Sequence, residues 1–302
     1  MKRLPISGRL LEGAHERLLD RVGRVRGQDQ LLGQYKRDQN MIGGHRLDTA
    51  RFIPAPLREA EAAMSDLERH INRERKAPTH ALIDMALVNY QFETIHPFAD
   101  GNGRLGRMLI SLMAVTETVV DMPVLYMSPE LEPRKDAYID LMYQVSAKGT
   151  WIDWISFFLE VTTLSVTRTV RTIDRVLRLH VEYRARAMAA SRSNKLLGVI
   201  DLIFDRPVVQ ARTIVERIGV TDAAARTLLR QLTELGILVE SGSYHPAAWF
   251  ARELIDIPRP DIESSGDLRR YSGSSSPDVR RAEAPAIAAP PRGQDPERTT
   301  AP

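Results

Sequence analysis

The chain is 302 residues long, 43% hydrophobic and 27% charged, the composition of an ordinary globular protein with enough length to bury cores in about two domains. Its 42 basic and 39 acidic residues leave a formal charge of +3, too balanced to point to nucleic acid or anionic lipid. With no cysteine there is no disulfide, thiolate nucleophile or cysteine-built zinc site, which fits a reducing cytoplasm.

The amino terminus, Met1 to Arg9, is basic but leads into no apolar stretch of signal-peptide length, and the longest apolar run, Met108 to Val115, is far short of a membrane span. A cytoplasmic protein without membrane contact is expected. Between Gln39 and Pro56, short extended pieces flank Gly43 and Gly44 and predict a hairpin or flap carrying Ile42, Gly43, Gly44 and Phe52. Leu57, Ala60, Met64, Leu67 and Ile71 then repeat at helical spacing. A second helix is predicted from about Thr79 to Ile95, where Pro97 ends the pattern and leaves His96 at the helix exit. After Gly101-Asn-Gly103, the run Leu105, Met108, Leu109, Leu112 and Met113 opens a third helix, apolar nearly all round and therefore central.

From Trp151 to Met188 helical periodicity returns, with Val166, Val170, Ile173 and Leu177 on one face and Arg168, Arg171, Arg175 and Arg178 on another, the arginine row reading as a solvated face. Residues 194–257 read as a separate small domain: helix, helix over Ala211 to Ile218, the turn Gly219-Val-Thr221, a helix over Asp222 to Leu235, then extended pieces around Val239 and Trp249. That order is similar to a winged helix-turn-helix. Beyond Pro258 large apolar residues nearly vanish, so 258–302 is expected to be a disordered tail. The division predicted is therefore 1–190, 194–257 and 258–302.

The chemistry concentrates in His96-Pro-Phe-Ala-Asp-Gly-Asn-Gly-Arg-Leu-Gly-Arg107. An imidazole that titrates near neutrality can accept a proton from a hydroxyl. Asp100 offers a hard oxygen ligand for Mg²⁺, which is held by one or two carboxylates plus substrate phosphates. Gly101 and Gly103 let the backbone approach a ligand at the start of a helix, whose free N–H groups and positive dipole end attract anions. Asn102 adds a donor at the turn, and Arg104 and Arg107, three apart, can lean toward one phosphate.

These twelve residues resemble the signature of the Fic (filamentation-induced-by-cAMP) family, H-P-F-x-[D/E]-G-N-G-R-x-x-R, at each constrained position. The resemblance extends through Gln39-Asn-Met-Ile-Gly-Gly44, Ala50 to Pro56, Tyr90 to Ile95, Leu125 to Ser128, Tyr138 and Trp151 to Phe158. It implies a mostly α fold, the Fic helical fold with a small β-hairpin flap, followed here by the winged helix-turn-helix-like domain. It also implies ATP and Mg²⁺, with His96 deprotonating a Ser, Thr or Tyr hydroxyl of a target protein that attacks the α-phosphorus. By the same resemblance Asp100 holds the metal. Gly101, Asn102 and Gly103 hold the α- and β-phosphates, Arg104 and Arg107 hold the outer ones, and the flap aligns the target as an added strand.

Two departures accompany the resemblance. Many such proteins carry an inhibitory [S/T]-x-x-x-E-[G/N] helix, and Ser7 to Glu12-Gly13 has one residue too many. The inhibitor is then expected upstream of the assigned start, on a separate inhibitory chain, or not at all. The other departure is the carboxy-terminal domain, whose seven basic and eight acidic residues give a net charge of −1, so docking a protein or forming a homodimer is expected over DNA binding. Two alternative functions are phosphoryl transfer of the Doc type, against which Gly103 speaks because those relatives have lysine there, and a nucleotide-sensing transcriptional regulator.

Overall fold

The computed structural model describes residues 5–20, 31–44, 46, 48–74, 80–191, 193–241 and 247–257. The tail expected over 258–302 and Thr79, the first residue of a predicted helix, lie outside them. Mostly helical as expected, the chain forms two compact units, one built on Met1–Pro123 and Glu130–Val161, the other on Val124–Pro129 and Thr162–Arg270.

In the first unit, α1 spans Gly8–Asp20, α2 Leu57–Ile71, α3 Ala81–Ile95 and α4 Asn102–Thr116. A short helix α5, Ser128–Leu131, and a 3₁₀ turn lead into α6, Lys135–Lys148. Helix α2 is amphipathic as its spacing predicts, burying Ala60, Ala63, Met64, Leu67 and Ile71, while Leu57 at its start stays exposed. Helix α3 starts where His80 accepts a hydrogen bond from Leu82 N at 3.3 Å, which satisfies one of the free first-turn donors. It buries residues on every side, including Met85, Phe92 and Ile95, and packs against α4, whose Leu105, Leu109, Ile110 and Met113 complete the core. Burial of such side chains contributes about 1.5–3 kcal/mol each. Asp84, buried on α3, binds Arg73 at 2.8 Å and His70 at 3.0 Å, tying the end of α2 to α3. Trp154, also buried, donates from Nε1 to Ala86 O at 2.8 Å.

Helix α7, Trp151–Ala190, is 40 residues long. In the second unit its Leu179, Tyr183 and Ala187 join a core with Leu196, Val199, Ile203, Ile214, Leu229 and Trp249. That unit runs α8 (Asn194–Asp205), β1 (Val208–Gln210), α9 (Ala211–Ile214) with a π turn to Gly219, α10 (Asp222–Glu234), β2 (Val239–Ser241), β3 (Ala248–Phe250) and α11 (Arg252–Asp256). The strands form one antiparallel sheet in the order β1-β3-β2, with Val209 and Glu240 both opposite Trp249. Strand β1 is absent from the sequence reading because its three residues follow a Pro and carry no alternation long enough to register. Thr221 caps α10 by accepting from Ala224 N at 3.3 Å. Among the described residues no helix is long and apolar enough to cross a membrane.

Candidate active site

Helix α3 ends in an unusual conformation. His96 has φ 50° and ψ 59°, the left-handed region that L-residues with a side chain enter at a cost of about 1–3 kcal/mol. Such a conformation persists only where its surroundings over-determine it, and here they do. Asn40 Nδ2 donates to His96 O at 3.0 Å and to Phe98 O at 2.9 Å, and Lys36 N donates to Pro97 O at 2.8 Å. Lys36, itself buried, uses all three ammonium donors: to Asn40 Oδ1 at 2.9 Å, Ala55 O at 2.9 Å and Ile95 O at 3.2 Å. A cation on one of the last carbonyls of α3 complements the negative end of that helix.

Two further braces hold the rest of the turn. The amide of Asn102, buried at the first position of α4, accepts from Phe98 N at 2.9 Å and donates to Phe98 O at 2.7 Å. Both of its side-chain groups thus engage the loop, and Asn102 also lines the cavity described below. His15 on α1 stacks on Phe98 with ring centroids 4.0 Å apart. Its Nδ1 accepts from Gly33 N at 3.1 Å, so Nε2 carries the proton and donates to Asp100 O at 2.9 Å.

The turn delivers its side chains to one cavity of about 310 Å³. His96, Asp100, Gly101, Asn102, Gly103, Arg104 and Arg107 line it, with Glu93 of α3. Ile42 of the expected flap and Lys135, Tyr138 and Met142 of α6 line it too. Of the remaining flap residues predicted, Gly43, Gly44 and Phe52 do not line it. Phe52 is buried and pairs with Ile42 in an isolated antiparallel bridge, Ile42 N donating to Phe52 O at 3.0 Å. Arg51 anchors this segment to α6 through the carboxylates of Asp136 and Asp140 and through Asp136 O at 2.9 Å.

The electrostatics favour a neutral imidazole. Burial lowers His96 from 6.5 to about 4, with the neighbouring Lys36 charge acting the same way. Nδ1 donates to Glu93 O at 3.2 Å, which leaves Nε2 as the unprotonated acceptor. Behind it lies Glu93, buried and unassigned by the sequence beyond a place on the face of α3. Burial raises its carboxyl from 4.5 to about 7 against the opposing pull of Arg107. Glycine at 106 is required by this packing, since a Cβ there would stand 2.5 Å from Glu93 Oε1. Gly101 caps α4 at φ 84°, a conformation natural to glycine, and opens the first-turn N–H groups toward the cavity.

Mg²⁺ is tested by the donor set. Among the described residues no cluster of three or more His, Cys, Asp or Glu could cage a metal. Asp100 alone, its carboxylate 38% exposed on the cavity wall and 3.4 Å from Arg104, fits a cation whose other ligands are phosphates and water. Arg107 Nε is buried without a partner, a donor suited to an anion in the cavity. Lys36, Asn40, His15 and Glu93 were not assigned by the sequence, because no spacing rule connects residues of separate elements that meet only in the folded chain.

Residues 5–114 match the family model described as Fic/DOC family. Proteins named protein adenylyltransferase Fic from Drosophila sechellia, Drosophila simulans and Drosophila melanogaster are each 33% identical over 99 residues, which are 33% of this chain and 18% of theirs. The chain thus spans 18% of the length of these relatives. A Fic family protein from Desulfovibrio desulfuricans G20 aligns in structure with a TM-score of 0.45 and 18% identity, over 81% of this chain and 68% of that one. For a Fic domain containing signaling protein from Bacteroides thetaiotaomicron VPI-5482 the values are 0.44 and 22%, over 55% and 63%.

Proposed function

We propose, on the premise that residues 5–114 form a Fic/DOC family domain, that the chain is a protein adenylyltransferase transferring AMP from ATP to a Ser, Thr or Tyr hydroxyl of a target protein. The observation that carries this reading is the convergence of His96, Asp100, the start of α4 and Arg107 on one cavity of about 310 Å³. In the proposed reaction the target hydroxyl oxygen bonds to the α-phosphorus, the bond from that phosphorus to the bridging oxygen breaks, and pyrophosphate leaves. The proton of the hydroxyl passes to His96 Nε2, which is available because Nδ1 is held by Glu93 O. The N–H groups of the α4 start receive the α- and β-phosphate oxygens, and Arg104 and Arg107 receive the outer ones. Preorganised donors of this kind supply most of the rate gain in such transfers.

Asp100 would hold Mg²⁺ in this reading. When bound, the metal neutralises phosphate charge. The extended segment around Ile42 is proposed to align the target's backbone beside it. Position 103 is glycine where the Doc-type relatives have lysine, which favours adenylyl over phosphoryl transfer.

The second unit reads as a winged helix-turn-helix. Support comes from α9, the Gly219 turn and α10 beside a three-stranded antiparallel sheet. Protein docking suits it better than DNA, because Arg226 of α10 is already paired with Asp222 at 2.7 Å and residues 194–257 carry a net charge of −1. A cytoplasmic setting goes with the reading.

Incubation of the full chain with α-labelled or γ-labelled ATP, Mg²⁺ and lysate tests the reaction. Transfer of the α-label alone is expected. Transfer of the γ-label would replace it with phosphoryl transfer, and transfer of neither, despite nucleotide binding, would favour a sensor.

A further inference from the structure

Glu93 brings a buried acid to the cavity that also holds Arg107 and the start of α4. Helix α4 closes on it so tightly that a Cβ at Gly106 would stand 2.5 Å from its Oε1. The nearby donors are spent elsewhere. His96 Nδ1, 3.7 Å from Oε2, is beyond hydrogen-bond reach and bonds Glu93 O instead. The Tyr138 hydroxyl donates to Asn89 Oδ1 at 3.0 Å. What remains is the charge of Arg107, which pulls on the carboxyl while its own Nε lies buried without a partner.

A buried carboxylate and a nearby guanidinium offset each other's charge. The outer phosphates of a nucleotide would claim Arg107 and leave an ionised Glu93 facing them uncompensated, an arrangement that a low-dielectric site strongly disfavours. A proton on Glu93 removes the conflict, and the neutral carboxyl gains an O–H that can donate to a phosphate oxygen.

We propose that Glu93 takes up a proton when nucleotide phosphates bind at Arg107, so that affinity for a nucleoside triphosphate is coupled to pH through this one carboxyl. The inference rests on the reading that the cavity takes a nucleotide, but not on adenylyl transfer. Burial has already raised the free carboxyl to about 7, and a bound anion raises it further. Affinity is therefore full below that value and falls as the pH rises above it. The other charged groups facing the cavity are Arg104 and Arg107 of α4, Lys135 of α6, Glu132 of the 3₁₀ turn before α6, and Asp100. Burial lowers His96 to about 4 and Lys36, whose charge reaches His96, to about 8, and it raises Tyr138 well above its ordinary value. Substitution of Glu93 alone separates its proton from theirs.

Calorimetry of the full chain with Mg²⁺ and α,β-methylene-ATP, which cannot give up AMP, counts the protons when run at pH 8 in buffers of different ionisation enthalpy. An uptake of about one proton per nucleotide is expected, with a Kd about tenfold weaker at pH 8 than at pH 6. AMP, which has no outer phosphates, is expected to bind without that uptake. Glu93→Gln is expected to bind the analogue while losing both the uptake and the pH dependence. Binding of the analogue without proton uptake by the unaltered chain, or uptake that survives in Glu93→Gln or with AMP, would overturn the proposal and leave the nucleotide reading standing. Failure to bind any nucleotide would overturn both.

Discussion

A left-handed histidine followed by proline is the conformation on which the site turns, and Asn40 is the side chain that holds it most directly. Asn40→Ala strips a donor from His96 O, at a cost of about 1–3 kcal/mol where the carbonyl stays buried, while Phe98 O keeps its bond from the Asn102 amide. Because Asn40 is not on the cavity wall, kcat is expected to fall about 10- to 100-fold while KM for the nucleotide stays put, as steady-state kinetics would show. A rise in KM alone would mean that Asn40 acts on the nucleotide instead. Glu93 makes a separate, thermodynamic prediction. Its carboxyl is raised from 4.5 to about 7 by burial, so between those values the folded chain keeps a proton that the unfolded chain has released. Stability from this group is therefore complete below 4.5 and is lost as the pH rises through 7, by up to about 3 kcal/mol. His96 works in the opposite sense: lowered from 6.5 to about 4 by burial, it costs stability as the pH falls over that interval. The melting temperature of Glu93→Gln relative to the unaltered chain is expected to rise from pH 5 to pH 8. A difference that ignores pH would show that Glu93 does not titrate in this range.

Elements expose how much the sequence could say. Helices α2, α3 and α4 were legible because apolar spacing and Pro97 act within one segment; α3 begins at Ala81, where His80 serves as its cap. The twelve-residue run from His96 was legible too, since its chemistry lies in consecutive positions. What could not be read is whatever depends on two elements meeting. Lys36 and Asn40 look like ordinary loop polars until the α3 carbonyls are set beside them, and Glu93 looks like one more residue on a helix face until α4 closes over it. The α3–α4 contact is tight enough to test. In Gly106→Ala the new Cβ would lie 2.5 Å from Glu93 Oε1 and 3.2 Å from Phe92 Cδ1, and overpacking of that kind costs about 1–3 kcal/mol. A melting temperature lowered by several degrees is expected. An unchanged one would mean that α3 and α4 part easily.

Across the whole molecule, two separately packed cores predict two separable stabilities. Leu229 is fully buried in the second, and Leu229→Ala is expected to cost about 2–5 kcal/mol there. Calorimetry is expected to show one transition moving down while another, along with transfer activity, stays in place. A single shifted transition would mean that the cores unfold as one. The left-handed His96 bears on the same balance, because a domain survives on a margin of about 5–15 kcal/mol and this residue consumes part of it. His96→Ala removes the proposed base but keeps the contorted backbone. His96→Gly removes the base and relaxes the backbone as well, so it is expected to be the more stable of the two by about 1 kcal/mol. A reversed order would mean that His96 sits there without strain. If the order holds, selection at position 96 has been retaining a residue that weakens the protein it serves, and random variants screened only for heat resistance should drift toward glycine and silence.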